Sequence, residues 1–288
     1  MADGLLGGVY VVNVTPFRDD GSLAVDREAY LAHVEWLSGQ GVDGIVPFGT
    51  NGEGPSVALE EKLAVLEALF ELELPVQIVP NVAQGNLPET LQMLRWLEER
   101  PVAGVLILPP YYFKPVPAEG LRAFYEAALE ATSHPALVYH IPKYAVPVPV
   151  EVVRELPVWG VKDSGGDPEY TRSVLATGKG VLLGTEESLW ENLHLGAHGI
   201  ISALANFIPA EIVEMSRRVA AGDEAGGREL SEHLLGVRQM TKEYTSVAVL
   251  KRLAEARHGA AMGTVRPPLS PLSPGFEART VLDAAVRF

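Results

Sequence analysis

The sequence predicts an α/β protein, a (β/α)8 TIM barrel with additional C-terminal helices. Three observations predict it. Eight short β-branched runs alternate with amphipathic helical patterns. Most of those runs are apolar throughout, as parallel strands covered on both faces are. The 288 residues suit one barrel of about 250 residues plus an extension. A doubly wound open sheet is the alternative, and the count of eight favours closure.

The strands are predicted at Val9–Val14, Gly44–Phe48, Val76–Val82, Gly104–Leu108, Ala136–Ile141, Val158–Val161, Val181–Gly184 and Gly199–Ala203. Between them, Tyr30, Val34 and Leu37 fall at i, i+4, i+7, as do Leu87, Leu91 and Leu94; Leu63, Leu66 and Phe70 fall at i, i+3, i+7. Each set makes one apolar helical stripe. Pro88, Pro117, Pro149 and Pro168 mark helix starts, with Asp167 placed to cap the last of these. Beyond the eighth strand, helices are predicted over Ala210–Ala220, Glu229–Glu243, Thr245–Arg257 and Ala278–Val286, with Arg266–Gly275 a proline-rich loop. Residues 1–207 then hold the strands and the helices between them. Residues 208–288 hold the last barrel helix and a helical extension of the same unit.

Composition excludes several function classes. The net charge of −14 repels a phosphate backbone, so nucleic acid is not an expected partner. There is no cysteine, hence no thiolate nucleophile and no Cys-ligated zinc. Residues Met1 to Val9 lack a signal-peptide pattern, and no apolar run approaches the roughly 18 residues that span a bilayer. The expected location is cytoplasmic, without membrane attachment.

In a barrel, chemistry sits at the C-terminal ends of the strands. Lys162 follows Trp159-Gly160-Val161 on a predicted strand. Turned inward among apolar walls, a lysine loses its preference for the ammonium form, and a neutral amine can attack a carbonyl. Position alone leaves open the commoner case, a solvated lysine past the strand end. Gly49-Thr50-Asn51-Gly52-Glu53-Gly54 is a glycine-rich turn whose backbone N–H groups suit a carboxylate or phosphate. It lacks the Gly-Lys-Ser/Thr of a P-loop, and a plain tight turn is equally consistent with it. The hydroxyls of Tyr139, Tyr112 and Thr50 end three strands and, if close together, would relay a proton; singly, each tyrosine reads as a wall residue. His194 and His198 stand at i, i+4, but Gly196 interrupts them and no metal site is expected. Asp19-Asp20-Gly21 reads as a turn, not a calcium loop.

Together these blocks resemble the dihydrodipicolinate synthase / N-acetylneuraminate lyase family. They are Val14-Thr15-Pro16-Phe17, Gly49-Thr50-Asn51-Gly52-Glu53, Pro110-Tyr111-Tyr112, Tyr139-His140-Ile141-Pro142, Val161-Lys162-Asp163 and Gly199-Ile200-Ile201-Ser202, in order along the whole chain. The resemblance implies a class I lyase in which Lys162 forms a Schiff base with pyruvate or a related 2-oxo acid. Tyr139, linked to Thr50 and Tyr112, would move the proton. Gly49, Thr50 and Asn51 would hold the carboxylate, and the Ile201 carbonyl would face the site. No metal or organic cofactor is implied. The expected assembly is a dimer of dimers, with Tyr112 reaching across an interface.

Two departures bear on the substrate. Asn51 stands where synthases carry a second threonine, and Tyr144, preceded by Lys143, stands where they carry an arginine for the aldehyde's carboxylate. Tyrosine cannot make that bidentate clamp. Pro109-Pro110-Tyr111-Tyr112-Phe113, Ser202-Ala203-Leu204-Ala205-Asn206 and the tail from Arg266 to Leu272 are similar to archaeal-type 2-keto-3-deoxygluconate aldolases; Lys162–Asp167 is similar to 4-hydroxy-2-oxoglutarate aldolases. The expectation is reversible cleavage of such an acid to pyruvate and an aldehyde. Condensation of pyruvate with aspartate semialdehyde is the alternative, and a non-catalytic metabolite-binding barrel is the alternative of another class. Lys143 and Lys114 are either solvated or meet an anionic group on the substrate's distal end.

Overall fold

The computed structural model describes residues 6–242, 246–273 and 275–288. Among them, nine strands form one sheet in which every pairing is parallel. They are β1 (Gly8–Val11), β2 (Gly44–Ile45), β3 (Gln77–Ile78), β4 (Asn81–Val82), β5 (Val105–Ile107), β6 (Ala136–His140), β7 (Gly160–Asp163), β8 (Gly180–Leu183) and β9 (Gly199–Ser202). The order is β3-β2-β1-β9-β8-β7-β6-β5-β4.

Its two ends, β3 and β4, are halves of one extended segment, the predicted third strand. β3 pairs with β2 and β4 with β5, so this segment closes the sheet on itself as an eight-stranded barrel. The segment is split because Pro80 has no N–H to give the ladder. Its neighbours still pair, Val79 N with the Ile45 carbonyl at 2.9 Å and Asn81 N with the Pro47 carbonyl at 2.9 Å, and the Pro80 carbonyl accepts Leu106 N at 3.0 Å. The β1–β9 seam is reinforced by Asn206. Its amide nitrogen reaches the Val12 carbonyl at 3.0 Å and the Ala203 carbonyl at 2.9 Å, and its oxygen accepts Val14 N at 3.0 Å.

The intervening helices are α1 (Arg27–Ser38), α2 (Leu59–Phe70), α3 (Leu87–Leu97), α4 (Ala118–Leu129), α5 (Val150–Glu155), α6 (Pro168–Leu175), α7 (Leu189–His194) and α8 (Pro209–Ala221). Pro88 sits in the first turn of α3 and Pro168 opens α6, where a missing N–H costs nothing. Pro117 and Pro149 stand one place earlier, as N-caps. Asp167 caps α6 by accepting Glu169 N at 3.0 Å. Tyr30, Val34 and Leu37 are buried as expected. On α3 the buried face is Thr90, Met93, Leu94 and Leu97, so Leu87 and Leu91 lie at its margin.

Three more helices follow, α9 (Glu224–Lys242), α10 (Ser246–His258) and α11 (Ala278–Ala285). The predicted boundaries at Glu243 and Thr245 lie outside the described residues. α9 begins before the predicted Glu229 and runs through Gly226 and Gly227, poor helix formers. Packing explains Gly227, since a Cβ there would stand 1.8 Å from the Trp190 ring. α9 packs on α8, and α10 reaches the Thr50–Gly52 turn of the barrel mouth.

Glycine also lets β7 and β8 approach. A Cβ on Gly160 would lie 2.0 Å from the Gly180 carbonyl oxygen, a backbone atom that cannot swing away. Gly160→Ala is therefore expected to destabilise the barrel by about 1–3 kcal/mol or more. Thermal unfolding followed by circular dichroism checks this; an unchanged midpoint would contradict the close approach.

Candidate active site

The site is built first from strand register. Tyr139 pairs with Lys162 across β6 and β7, and His140 pairs with Asp163. Side chains alternate along a strand, so the two pairs face opposite ways. The second pair meets α6. The His140 ring stacks on Tyr170 with centroids 3.8 Å apart, and Asp163 accepts the Thr171 hydroxyl at 2.8 Å. Tyr139 and Lys162 consequently point into the barrel.

The outward pair is structural. Burial pushes His140 down to about 4, and its Nδ1 accepts Val148 N at 3.3 Å, so the ring is neutral at ordinary pH. Burial pushes the Asp163 carboxyl up, against the hydrogen bonds from Gly165 and Thr171. Asp163 thereby fixes the turn that follows Lys162.

The inward pair is buried and close-packed. Lys162 is 2% exposed, and its Nζ lies 4.3 Å from the centroid of the Tyr139 ring. The Tyr139 hydroxyl is 3.1 Å from Thr50 Oγ1. Burial pushes the Tyr139 phenol up. The positive charge of Lys162, with hydrogen bonds from Thr50, Lys162 and Ser164, outweighs that and holds it below the ordinary tyrosine value. An amine and a phenol of lowered pKa, both 2% exposed, thus lie beside a half-buried hydroxyl. Ser164, two residues past Lys162, was not singled out from the sequence.

Thr50 and Asn51 lie half-buried in a single 3₁₀ turn, Thr50–Gly52, with Gly49 as its N-cap and no capping side chain. The first N–H groups of such a turn have no partner within it, which is why it suits an anion. The backbone is tightly held. A Cβ on Gly49 would lie 2.3 Å from Val12 Cγ2, and one on Gly54 would lie 1.9 Å from the Phe48 carbonyl oxygen. Phe48 and Glu53 bracket the turn at φ 60 and 52, left-handed conformations that non-glycine residues adopt at a cost of order 1–3 kcal/mol. Thr15 Oγ1 clamps the Gly52 carbonyl at 2.7 Å, and Asn81 Nδ2 the Phe48 carbonyl at 2.9 Å.

The remaining expected residues are spread along the mouth. Ile201 is buried on β9, in register with Tyr10. Tyr112 is 82% exposed and meets Phe113 edge-on, so within one chain it is not buried beside Tyr139 and Thr50. Tyr144 is 50% exposed and Lys143 exposed, with the lysine Nζ 4.9 Å from the tyrosine ring centroid. Lys114 is exposed. Beyond β8 and at the end of β9, buried Glu186 accepts Ser202 Oγ at 2.7 Å and faces Arg238 Nε of α9 at 3.7 Å. Arg238 was not anticipated, because its helix is far from the strands in sequence. The same is true of Lys251 on α10. It is buried, pairs with Glu53 at 2.6 Å, and is pushed down to about 8 by burial against the pull of Glu53.

His194 Nδ1 donates a hydrogen bond to the Trp190 carbonyl, 3.1 Å away, and His198 packs edge-on against Trp159. Among the described residues, no group of three or more His, Asp or Glu side chains could hold a metal ion. Among the same residues, no helix is long and apolar enough to cross a membrane.

Comparison with known proteins agrees with this geometry. The model of the dihydrodipicolinate synthetase family matches residues 5–286. The 4-hydroxy-tetrahydrodipicolinate synthase of Agrobacterium fabrum is 31% identical over 285 residues, covering 95% of each chain. A prophage protein of the dihydrodipicolinic acid synthase family from E. coli K12, solved with pyruvate, superposes with a TM-score of 0.88 at 26% identity, over 97% of both chains. A variant of the 2-keto-3-deoxygluconate aldolase of Sulfolobus solfataricus superposes with a TM-score of 0.89 at 23% identity, over 96% of this chain and 94% of that one; this last likeness is one of fold.

The charge of Lys162 is the largest of the influences that lower the Tyr139 phenol, so the two can be separated by titration. As pH rises, phenolate absorbance is expected to include an early step that Tyr139→Phe abolishes. Lys162→Met removes the charge, leaves burial dominant, and moves that step to higher pH. A step insensitive to Lys162→Met would contradict the coupling.

Proposed function

The chain belongs to the dihydrodipicolinate synthetase family, and we propose that within it Lys162 is the Schiff-base nucleophile of a pyruvate-releasing aldolase. The substrates would be 2-keto-3-deoxy sugar acids or 4-hydroxy-2-oxo acids. The chain is a lyase of that family, whose members work through a lysine Schiff base with pyruvate and without an external cofactor. The observation that carries the assignment of Lys162 is its burial beside Tyr139 and, through Tyr139, Thr50.

The arrangement supports the following chemistry. Tyr139, its phenol lowered beside Lys162, takes the ammonium proton as the phenolate and becomes the phenol, and the free amine attacks the keto carbon. Water leaves, and the iminium that forms withdraws electrons from the neighbouring carbon–carbon bond. A base removes the proton of the 4-hydroxyl, the C3–C4 bond breaks, the aldehyde departs, and the electron pair remains as an enamine. Tyr139 is placed to exchange these protons, with Thr50 as its relay. Protonation at C3 and hydrolysis release pyruvate and restore the amine. The N–H groups of the Thr50–Asn51 turn, preorganised by the clamps of Thr15 and Asn81, would hold the substrate carboxylate, with Gly49 allowing close approach. The Ile201 carbonyl would line the floor.

Tyr144 decides between aldolase and synthase. It stands in the turn after β6, half exposed, and presents one hydroxyl where a carboxylate-bearing aldehyde needs a charged fork. A hydroxyl suits the distal end of a polyhydroxylated acid. Lys143 and Lys114, exposed at the same mouth, would meet a distal anionic group. Condensation of pyruvate with aspartate semialdehyde is the second reading, favoured by the name of relatives such as the Agrobacterium fabrum enzyme.

The exposed pair Tyr112 and Phe113, 82% and 74% open, is an apolar patch at the rim of the mouth. We infer that a second copy covers it, that Tyr112 enters the partner's site, and that two such dimers form a tetramer. The inferred location is cytoplasmic.

Pyruvate release from 2-keto-3-deoxygluconate, its 6-phosphate and 4-hydroxy-2-oxoglutarate tests the reading against condensation with aspartate semialdehyde. At least one acid should be cleaved with kcat/KM at least about tenfold above the condensation, and Tyr144→Arg should shift the balance towards the semialdehyde. Efficient condensation by the wild type with no cleavage of any acid would establish the synthase instead.

A further inference from the structure

The Thr50–Gly52 turn is backed by a charge pair that the proposed chemistry does not use. Glu53 ends the turn, with its N–H bonded to the Thr50 carbonyl at 3.2 Å. Its side chain is 1% exposed and pairs with Lys251 Nζ at 2.6 Å, itself 2% exposed. Its second oxygen accepts the backbone N–H of Arg266 at 3.0 Å. Lys251 also donates to the Thr264 carbonyl at 2.6 Å. The Arg266 guanidinium fastens the Leu23 and Ser56 carbonyls and the Glu61 carboxylate. Both cations lie against the Phe17 ring, at 4.2 and 4.3 Å from its centroid.

A buried carboxylate next to N–H groups that receive an anion is an electrostatic conflict. In a poorly screened interior the Glu53 charge repels the incoming carboxylate. Lys251 cancels that charge at 2.6 Å, and Glu53 in return accepts the Arg266 N–H. We propose that Lys251 is a positioning residue for the keto acid's carboxylate: it neutralises the Glu53 charge behind the Thr50–Asn51 turn, which makes the C-terminal helices part of the binding site. The proposal rests on the reading of that turn as the carboxylate cradle and of Lys162 as the nucleophile.

The test is the pyruvate concentration that half-saturates the rate of borohydride trapping, measured in the wild type, Lys251→Met, Glu53→Gln and the double variant. Lys251→Met leaves Glu53 unneutralised and should need on the order of tenfold more pyruvate, with the maximal rate changed much less. Glu53→Gln should need no more than the wild type, and the double variant should return close to it, since a neutral pair is tolerated where a broken one is not. Equal increases in both single variants, with no recovery in the double, would mean a merely structural pair and overturn the proposal. Should Lys251→Met fail to fold, the other two decide: a raised half-saturation in both overturns it, and wild-type values support it. A wild type that traps no pyruvate overturns the reading of Lys162 and the proposal together, whereas normal wild-type trapping with the structural pattern in the variants overturns the proposal alone.

Discussion

The parallel pairing of Tyr139 with Lys162 across β6 and β7 sets the rest of the site. Because side chains alternate, this register turns both groups into the barrel and turns His140 and Asp163 onto α6. A slip of one residue would exchange the pairs and place an imidazole and a carboxylate inside. The outward contacts oppose such a slip, with His140 stacked on Tyr170 and Asp163 bonded to Thr171 and Gly165. Once paired, a buried cation lowers the phenol beside it, and that phenol reaches Thr50. Position, burial and charge therefore follow from one strand pairing, provided that the barrel is closed. The split segment that carries β3 and β4 closes it.

The second half of the site is backbone. Two left-handed non-glycine residues and glycines without room for a Cβ hold the turn at Thr50 in a shape that local preference alone would not select. Tertiary contacts fix it instead: Thr15 and Asn81 from the strand side, and Lys251 and Arg266 from the C-terminal region. The C-terminal helices are thereby tied to the barrel mouth by buried charge as well as by apolar packing.

The barrel and its inward lysine were legible in the sequence because they rest on local signals, namely apolar runs, helix stripes and strand-end polar residues. The same signals misplaced details wherever a distant contact prevailed. The third strand reads as continuous, yet Pro80 removes one donor and divides it; the proline was visible, but its partners were not. Gly226 and Gly227 disfavour helix and so hide the start of α9, and the Trp190 ring that needs Gly227 comes from another element. Tyr112 shares a motif with site residues but stands exposed on a single chain. Glu53, Lys251 and Arg266 form one buried network, yet nothing local in the sequence links them. Ser164 and Arg238 follow the same rule, since a side chain's partner on another element leaves no periodic trace.

The central claim is that Lys162 is the nucleophile. The most direct measurement is mass spectrometry of the protein after incubation with pyruvate and sodium borohydride, followed by peptide mapping. The account predicts one stable pyruvate-derived adduct, located on Lys162 and absent from Lys162→Ala. An adduct on another lysine, or no adduct at all, would contradict it.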